Sequence, residues 1–287
     1  MKLERRSRQG LFVGTDLAIC RALGLDDTKQ LKQRTTYREL SRRPVAVDVL
    51  VDLTRCLYGL ISSNLGERTP STENWRWMPK AKIHPGNRSP EVILERSIAL
   101  LVERKHMKGW CNQIPVASGL VDSRSDKRAA VDLASIAGDR LDLYELKWKS
   151  DTPIYASFEI LRYGLAYLLC RGNPAYASLE TMKVEALGLN VLAPPSYYGF
   201  DLGWLQAGLD AGIRTVAHEQ LSPDFRASFR FLVVRAIPLG SGAEAMATCG
   251  AAPLGLAGEA LVRAMSELTP AYPPLPDSAG ADELALP

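Results

Sequence analysis

The chain has 287 residues, of which 46% are hydrophobic and 23% charged, and its formal net charge at pH 7 is +3. This composition is typical of a globular protein with one large domain, or one domain with an appendage. No apolar run approaches the ~18 residues of a membrane span, so we expect no membrane partner. The N-terminal segment lacks the apolar core of a signal peptide, because Asp16 interrupts it.

The five cysteines are scattered and include no C-x-x-C pair. This spacing argues against a zinc site and against a disulfide framework, and it favours a cytoplasmic protein.

Basic residues concentrate in the first third of the chain. The first 90 residues contain 17 Lys and Arg against 9 Asp and Glu, whereas the remainder contains 18 against 23. Such a region could face the phosphates of a nucleic acid, or could consist of solvated helix faces. It ends in a loop-like segment in which Trp75 and Trp77 alternate with basic residues. That mixture suits nucleic-acid contact, and anchoring of a long loop to the core is the alternative.

The first 88 residues favour helices. One helix is predicted to begin at Thr15 or Asp16, and a second runs from Pro44 to Gly66. The next helix, up to residue 106, has Ser89 as its N-cap followed by a proline at the first helical position.

An extended segment follows at residues 111–121. Two strands then form a hairpin around a tight Gly138-Asp139 turn. The remaining pattern predicts a helix from Thr152, a strand at 185–194, a helix at 201–220 and a strand at 225–238. The element order indicates an α/β layered domain.

We therefore divide the chain into a basic, mainly helical region (1–88), an α/β core (89–238) and a Gly-, Ala- and Pro-rich segment (239–287). The last segment is predicted to contain one short helix at residues 257–268. Residues 269–287 are predicted to be disordered, because they offer little apolar surface to bury.

The second strand of the hairpin carries opposite charges on its buried face. Alternation places Leu141, Leu143, Glu145 and Lys147 on one side of the strand. The preceding strand contributes Asp132, whose same-face neighbours are small alanines.

The helix at 89–106 also turns carboxylates inward. Glu95 lies on the apolar stripe of that helix and Glu91 lies close to it. Buried carboxylates are costly, and they repel one another unless a cation joins them. Their oxygens are the ligands that Mg²⁺ prefers, and a lysine beside them can neutralise charge and position or activate a water molecule. The pattern therefore predicts a site that holds a metal ion and a nucleophile.

Asp132, followed thirteen residues later by Glu145-Leu146-Lys147 across a hairpin, resembles the D…E-x-K signature of the PD-(D/E)XK nuclease superfamily. The resemblance covers about residues 89–237, with an element order like the restriction-endonuclease-like αβββαβ core. Glu159-x-x-x-Tyr163 is similar to the Q-x-x-x-Y element of the RecB-like branch, with Glu in place of Gln. Asp132 follows Val131 rather than the proline of the family name.

The resemblance implies a mixed central sheet flanked by helices, with an N-terminal helical extension. It implies that Asp132, Glu145 and the Leu146 carbonyl bind Mg²⁺ or Mn²⁺, with Glu95, or Glu91 in its place, supporting the metal. Lys147 would position or help to deprotonate the attacking water. The implied activity is that of a metal-dependent nuclease, foremost a DNA endonuclease, and a homodimer would suit cleavage of both strands.

Three alternatives remain open at this point. The same site could act on RNA or on particular nucleic-acid structures, or the fold could serve as an inactive binding or assembly module. A purely structural interpretation is a buried Glu145–Lys147 ion pair, with Asp132 exposed at the sheet edge. The tripeptide is weak evidence by itself, because a second E-x-K copy occurs at Glu103–Lys105.

Overall fold

The computed structural model describes residues 10–66, 71, 73–117, 129–235, 240–251 and 253–272. Its centre is a mixed six-stranded sheet whose strands lie side by side in chain order. The second strand is antiparallel to the first and the third, the fourth and fifth are parallel to the third, and the last is antiparallel to the fifth. The strands are β1 (Trp110–Pro115), β2 (Ala130–Ala137), β3 (Arg140–Leu146), β4 (Ala186–Ala193), β5 (Arg226–Val233) and β6 (Thr269–Pro270).

Helices cover both faces of this sheet. The first three α-helices and two later ones share a hydrophobic core with one face, and the other three pack on the opposite face. The first group is α1 (Thr15–Ala22), α2 (Arg34–Leu40), α3 (Val47–Leu65), α5 (Pro153–Arg171) and α6 (Gly203–Gln220). The second is α4 (Pro90–Glu103), α7 (Gly242–Cys249) and α8 (Leu256–Ser266). The predicted α/β class, with a mixed sheet between helices, is confirmed.

The local signals at the ends of the elements are confirmed as well. The Ser89 hydroxyl accepts the N–H of Val92 at the start of α4. The Thr152 hydroxyl does the same for Tyr155 at the start of α5. Gly138 makes the β2–β3 turn with a φ of +60°, a conformation that a glycine adopts without steric cost.

The C-terminal segment contains more structure than composition predicted. Helix α7 was not predicted, and it forms because Ser241 caps it and Cys249 packs in the core with α4 and α8. The disorder predicted for residues 269–287 is wrong for Thr269–Pro270, which pairs with β5 as β6. Residues 273–287 lie outside the described residues.

The N-terminal helices pack directly on the α/β core. Helix α3 crosses α6 at two glycines, where a Cβ at Gly208 would lie 2.2 Å from the Leu50 Cδ1 atom and one at Gly212 would lie 2.3 Å from the Thr54 Oγ1 atom. The regions before and after residue 88 therefore share one hydrophobic core, and the domain boundary there remains a prediction.

One predicted nucleic-acid contact is wrong. The Trp75 side chain is fully buried and meets the Tyr167 ring edge-on at 5.3 Å, while its backbone N–H donates to the Pro115 carbonyl. Burial of this ring anchors the loop before α4 to the core, which was the alternative.

No helix within the described ranges has the length and apolar character needed to cross a membrane.

Candidate active site

The β2–β3 hairpin brings the predicted aspartate and glutamate together. Leu133 pairs with Tyr144, so the next residues along the two strands, Asp132 and Glu145, face each other. Asp132 Oδ2 accepts the backbone N–H of Leu146 at 2.9 Å, and this bond holds the carboxylate across the hairpin. Since β2 lies between β1 and β3, the interpretation that placed Asp132 at a sheet edge is wrong.

Lys147 is the cation of this cluster. Its Nζ atom lies 2.8 Å from Glu145 Oε1 and 3.1 Å from Glu159 Oε2, with Asp151 Oδ2 at 4.0 Å. The lysine side chain is only 10% exposed. Glu159 comes from α5, so Lys147 joins the end of the hairpin to the helix that follows it.

Burial and mutual repulsion shift the titration of these groups. Burial raises the pKa of Glu145 well above its usual value, and the charges of Asp132 and Glu159 add to this. Burial likewise raises the pKa of Asp132 to about 6, although Lys147 opposes the shift. Burial opposes ionisation of Glu159, but the charge of Lys147 and the hydrogen bonds with Glu145 and Lys147 together outweigh it and lower the pKa. Burial disfavours the Lys147 charge, but the surrounding carboxylates raise its pKa and keep it protonated.

Glu95 approaches the cluster from α4. It is 4% exposed. Its Oε1 atom lies 3.1 Å from Arg96 Nε, and its Oε2 atom accepts a hydrogen bond from Gln113 Nε2 at 2.6 Å. Burial, reinforced by the charge of Asp132, raises the pKa of Glu95 to about 7. The structure thus brings Glu95 into the electrostatic neighbourhood of the hairpin carboxylates.

Gln113 was missed by sequence reasoning. Its neighbours Asn112 and Ile114 pair with Leu133 and Val131, so Gln113 lies opposite Asp132. Its φ of +52° is left-handed and costs a non-glycine residue on the order of 1–3 kcal/mol. A polar pair inside an otherwise apolar strand was the available signal, but the unusual backbone conformation could not be anticipated.

Glu91 has a different role from Glu95. It accepts the backbone N–H of Trp148 at 2.9 Å and the hydroxyls of Ser150 at 2.8 Å and Ser89 at 3.2 Å. Burial opposes ionisation of Glu91, but these hydrogen bonds outweigh it and lower the pKa. Glu91 therefore supports the chain that follows β3 and has few lone pairs left for a ligand.

Replacing Glu91 by alanine should lower the free energy of unfolding by about 1–3 kcal/mol, because it leaves the Trp148 N–H without an acceptor. Urea unfolding measures this change. Glu91→Gln keeps an acceptor oxygen and should lose less than half as much. Equal stability of the alanine variant and the native protein would contradict the supporting role.

No protein-family model, curated protein or solved structure matches the chain.

The carboxylates have the right chemistry for a hard divalent cation. Asp132, Glu145 and Glu95 supply oxygen ligands of the kind that Mg²⁺ and Mn²⁺ bind. Burial is the main cause of their raised pKa values, and a bound cation would favour their ionised form. Within the part of the chain that the structure describes, no group of three or more His, Cys, Asp or Glu side chains forms a ready metal cluster. The Leu146 carbonyl remains a predicted ligand.

Proposed function

We propose that the protein is a metal-dependent nuclease that hydrolyses phosphodiester bonds, with DNA as its substrate. The observation that carries the proposal is the position of Lys147, whose ammonium group is held between Glu145 and Glu159 beside an aspartate fixed across the hairpin. A charged group this deeply buried is costly to maintain, and strongly perturbed groups of this kind concentrate at functional sites.

The element order supports the same proposal. Helix α4, the antiparallel strands β1, β2 and β3, helix α5 and the parallel strand β4 follow one another in the order αβββαβ. We therefore propose that this part of the chain is a restriction-endonuclease-like core of the PD-(D/E)XK type.

The roles follow from the positions of the side chains. Asp132, Glu145 and the Leu146 carbonyl would hold Mg²⁺ or Mn²⁺, and Glu95 would support that site directly or through water. A bound metal would stabilise negative charge on the phosphate and favour ionisation of water. Lys147 stays protonated in its cluster, so it would donate hydrogen bonds that orient the attacking water rather than remove its proton.

Glu159 would position this lysine. Its carboxylate, which comes from α5, lies 3.1 Å from Lys147 Nζ, in addition to the contact with Glu145. An ammonium group that is already fixed in place does not have to reorient when negative charge develops on the reacting phosphate.

Cleavage of supercoiled plasmid tests the proposal. We expect nicking with Mg²⁺ or Mn²⁺, none with EDTA, and a loss of at least about 100-fold in Asp132→Asn. Asp142→Asn is the matched control. Asp142 also lies on β3, but on the face of the strand away from Glu145, where it forms an ion pair with Arg140. Once thermal unfolding shows that this variant is folded, it should retain cleavage.

Two results would contradict the proposal. One is cleavage that survives EDTA or survives Asp132→Asn. The other is absence of cleavage of plasmid, single-stranded circular DNA and RNA with either metal, which would favour a binding or assembly module.

A further inference from the structure

A cavity of about 480 Å³ lies beside the candidate active site. One wall comes from the N-terminal helical region, which contributes Lys32 and Arg34, and the other from the chain that follows β3, which contributes Trp148 and Lys149. A hydrogen bond of 2.6 Å from the Thr152 hydroxyl to the Leu31 carbonyl joins the two walls. The cavity therefore lies at an interface between two regions that are hydrogen-bonded to each other.

Asp151 connects this cavity to the catalytic lysine. Its Oδ1 atom lies 3.2 Å from Lys32 Nζ and its Oδ2 atom lies 4.0 Å from Lys147 Nζ. Asp151 has a left-handed φ of +54°, a strained conformation that turns its carboxylate between the two lysines. A ligand in the cavity would thus be next to the group that we propose to orient the attacking water.

The cavity is positively charged. Lys32, Arg34 and Lys149 line it against the single carboxylate of Asp151. Among the described residues, neither Arg34 nor Lys149 forms an ion pair, and Lys32 keeps 49% of its side chain exposed. An excess of unpaired cations in a recess favours an anionic ligand.

Aromatic rings complete the lining. Trp148 is half-buried, and Tyr37 and Tyr197 form buried parts of the wall. The Tyr37 hydroxyl contacts the Phe200 backbone and the Tyr197 hydroxyl donates to the Ser150 carbonyl at 3.3 Å, so the positions of both tyrosines are fixed. Aromatic side chains among cations suit the base and the phosphate of a nucleotide.

The size of the cavity suits an unpaired nucleotide. Its volume falls in the range of small-ligand pockets, roughly 300–1,000 Å³, whereas a duplex presents its bases stacked and paired. A base enters such a recess only after it has left the stack.

We propose that this cavity binds an unpaired nucleotide of a DNA strand whose adjoining phosphate lies at Lys147. The inference rests on the proposed nuclease function and narrows its substrate. The enzyme would cut beside single-stranded or displaced nucleotides in preference to intact duplex.

Fluorescence anisotropy in EDTA tests binding without cleavage. The probes are a fluorescein-labelled single-stranded oligonucleotide, the same sequence as a blunt duplex, and a duplex with a displaced flap. We expect the single strand and the flap to bind at least about tenfold more tightly than the duplex. Arg34→Ala and Trp148→Ala should each reduce that preference about tenfold, as expected for one lost cation or one lost stacked base.

Trp148→Phe retains a ring and should recover most of the affinity, which separates stacking from packing. Arg230→Ala is the charge control, because Arg230 is exposed on β5 and lines a different cavity. Equal binding of all three probes would overturn the inference. An equal loss in Arg34→Ala and Arg230→Ala would overturn it as well, since binding would then reflect net charge alone.

Cleavage assays on the same probes separate this inference from the nuclease proposal. No cleavage with Mg²⁺ or Mn²⁺, with the preference for unpaired strands intact, would overturn the nuclease proposal and leave the cavity assignment standing. Equal cleavage of duplex and flap, unaffected by Arg34→Ala, would overturn the cavity assignment alone.

Discussion

Replacing Lys147 by alanine should lower metal-dependent cleavage of plasmid DNA by at least about 100-fold. The lysine is the cation nearest to Glu145 and Glu159, and groups that position or transfer protons in a transition state typically contribute 10²–10⁴-fold. Initial rates of nicking at saturating Mg²⁺ measure the effect.

The same substitution should also destabilise the fold, because it leaves two buried carboxylates without their cation. Removal of one partner from a buried ion pair costs about 3–5 kcal/mol, so the rates must be compared below the unfolding temperature of each variant. Lys147→Arg keeps the charge but changes its geometry. It should regain much of the lost stability while remaining deficient in cleavage.

The second E-x-K tripeptide supplies the matched control. Lys105, at the end of α4, is exposed and lies in none of the contacts described for the site, so Lys105→Ala should cleave at the native rate. Native rates in a folded Lys147→Ala protein would contradict the catalytic role.

In the metal-free protein, the free energy of unfolding should fall as the pH rises from about 5 to 8. Burial raises the pKa of Glu95 from 4.5 to about 7 and that of Asp132 from 3.8 to about 6. Between these values the folded protein keeps protons that the unfolded chain releases. For each proton that the folded state binds in excess of the unfolded chain, the free energy of unfolding falls by about 1.4 kcal/mol for every unit by which the pH rises.

The free energy of unfolding falls with rising pH because folding raises the pKa values of these carboxyl groups. A carboxyl whose pKa is raised on folding imposes no penalty when both states are protonated, and imposes its full penalty above the folded-state pKa. Glu95 alone then accounts for a loss on the order of 3 kcal/mol above pH ~7. The pKa values of Glu91 and Glu159 are lowered instead, so these residues act below pH ~4.5, outside this window.

Chemical unfolding in EDTA across this pH range measures the loss. Glu95→Gln should make the profile less steep, with Asp132 and Glu145 still contributing to it, and should exceed the native protein in stability at pH 8. Mg²⁺ or Mn²⁺ should stabilise the native protein more at pH 8 than at pH 5.5, because the deprotonated carboxylates are the ligands. A metal-free profile that is level or rises between pH 5 and 8 would contradict the assignment.

The amino-acid sequence by itself determined the local features of the site. Alternation along β3 placed Glu145 and Lys147 on one face, and the ion pair between them agrees with this. Ser89 and Thr152 marked the starts of α4 and α5, and Gly138 marked the hairpin turn. These features depend on residues a few positions apart, whose backbone preferences and hydrogen bonds are set within one element.

The tertiary structure decided which distant groups share the site. Residues nearly twenty or more positions from Asp132, namely Glu95, Gln113 and Glu159, meet its neighbourhood only because α4, β1 and α5 converge on the same hairpin. The different roles of Glu95 and Glu91 also depend on this convergence.

The tertiary structure also decided which side chains surround the site. Trp75 lies in the core rather than on a binding surface, while Lys32 lines a cavity beside Lys147. Which side chains are buried, and which cations remain unpaired, depends on the packing of whole elements against one another. Helical or strand periodicity describes one element at a time, so it cannot contain that information.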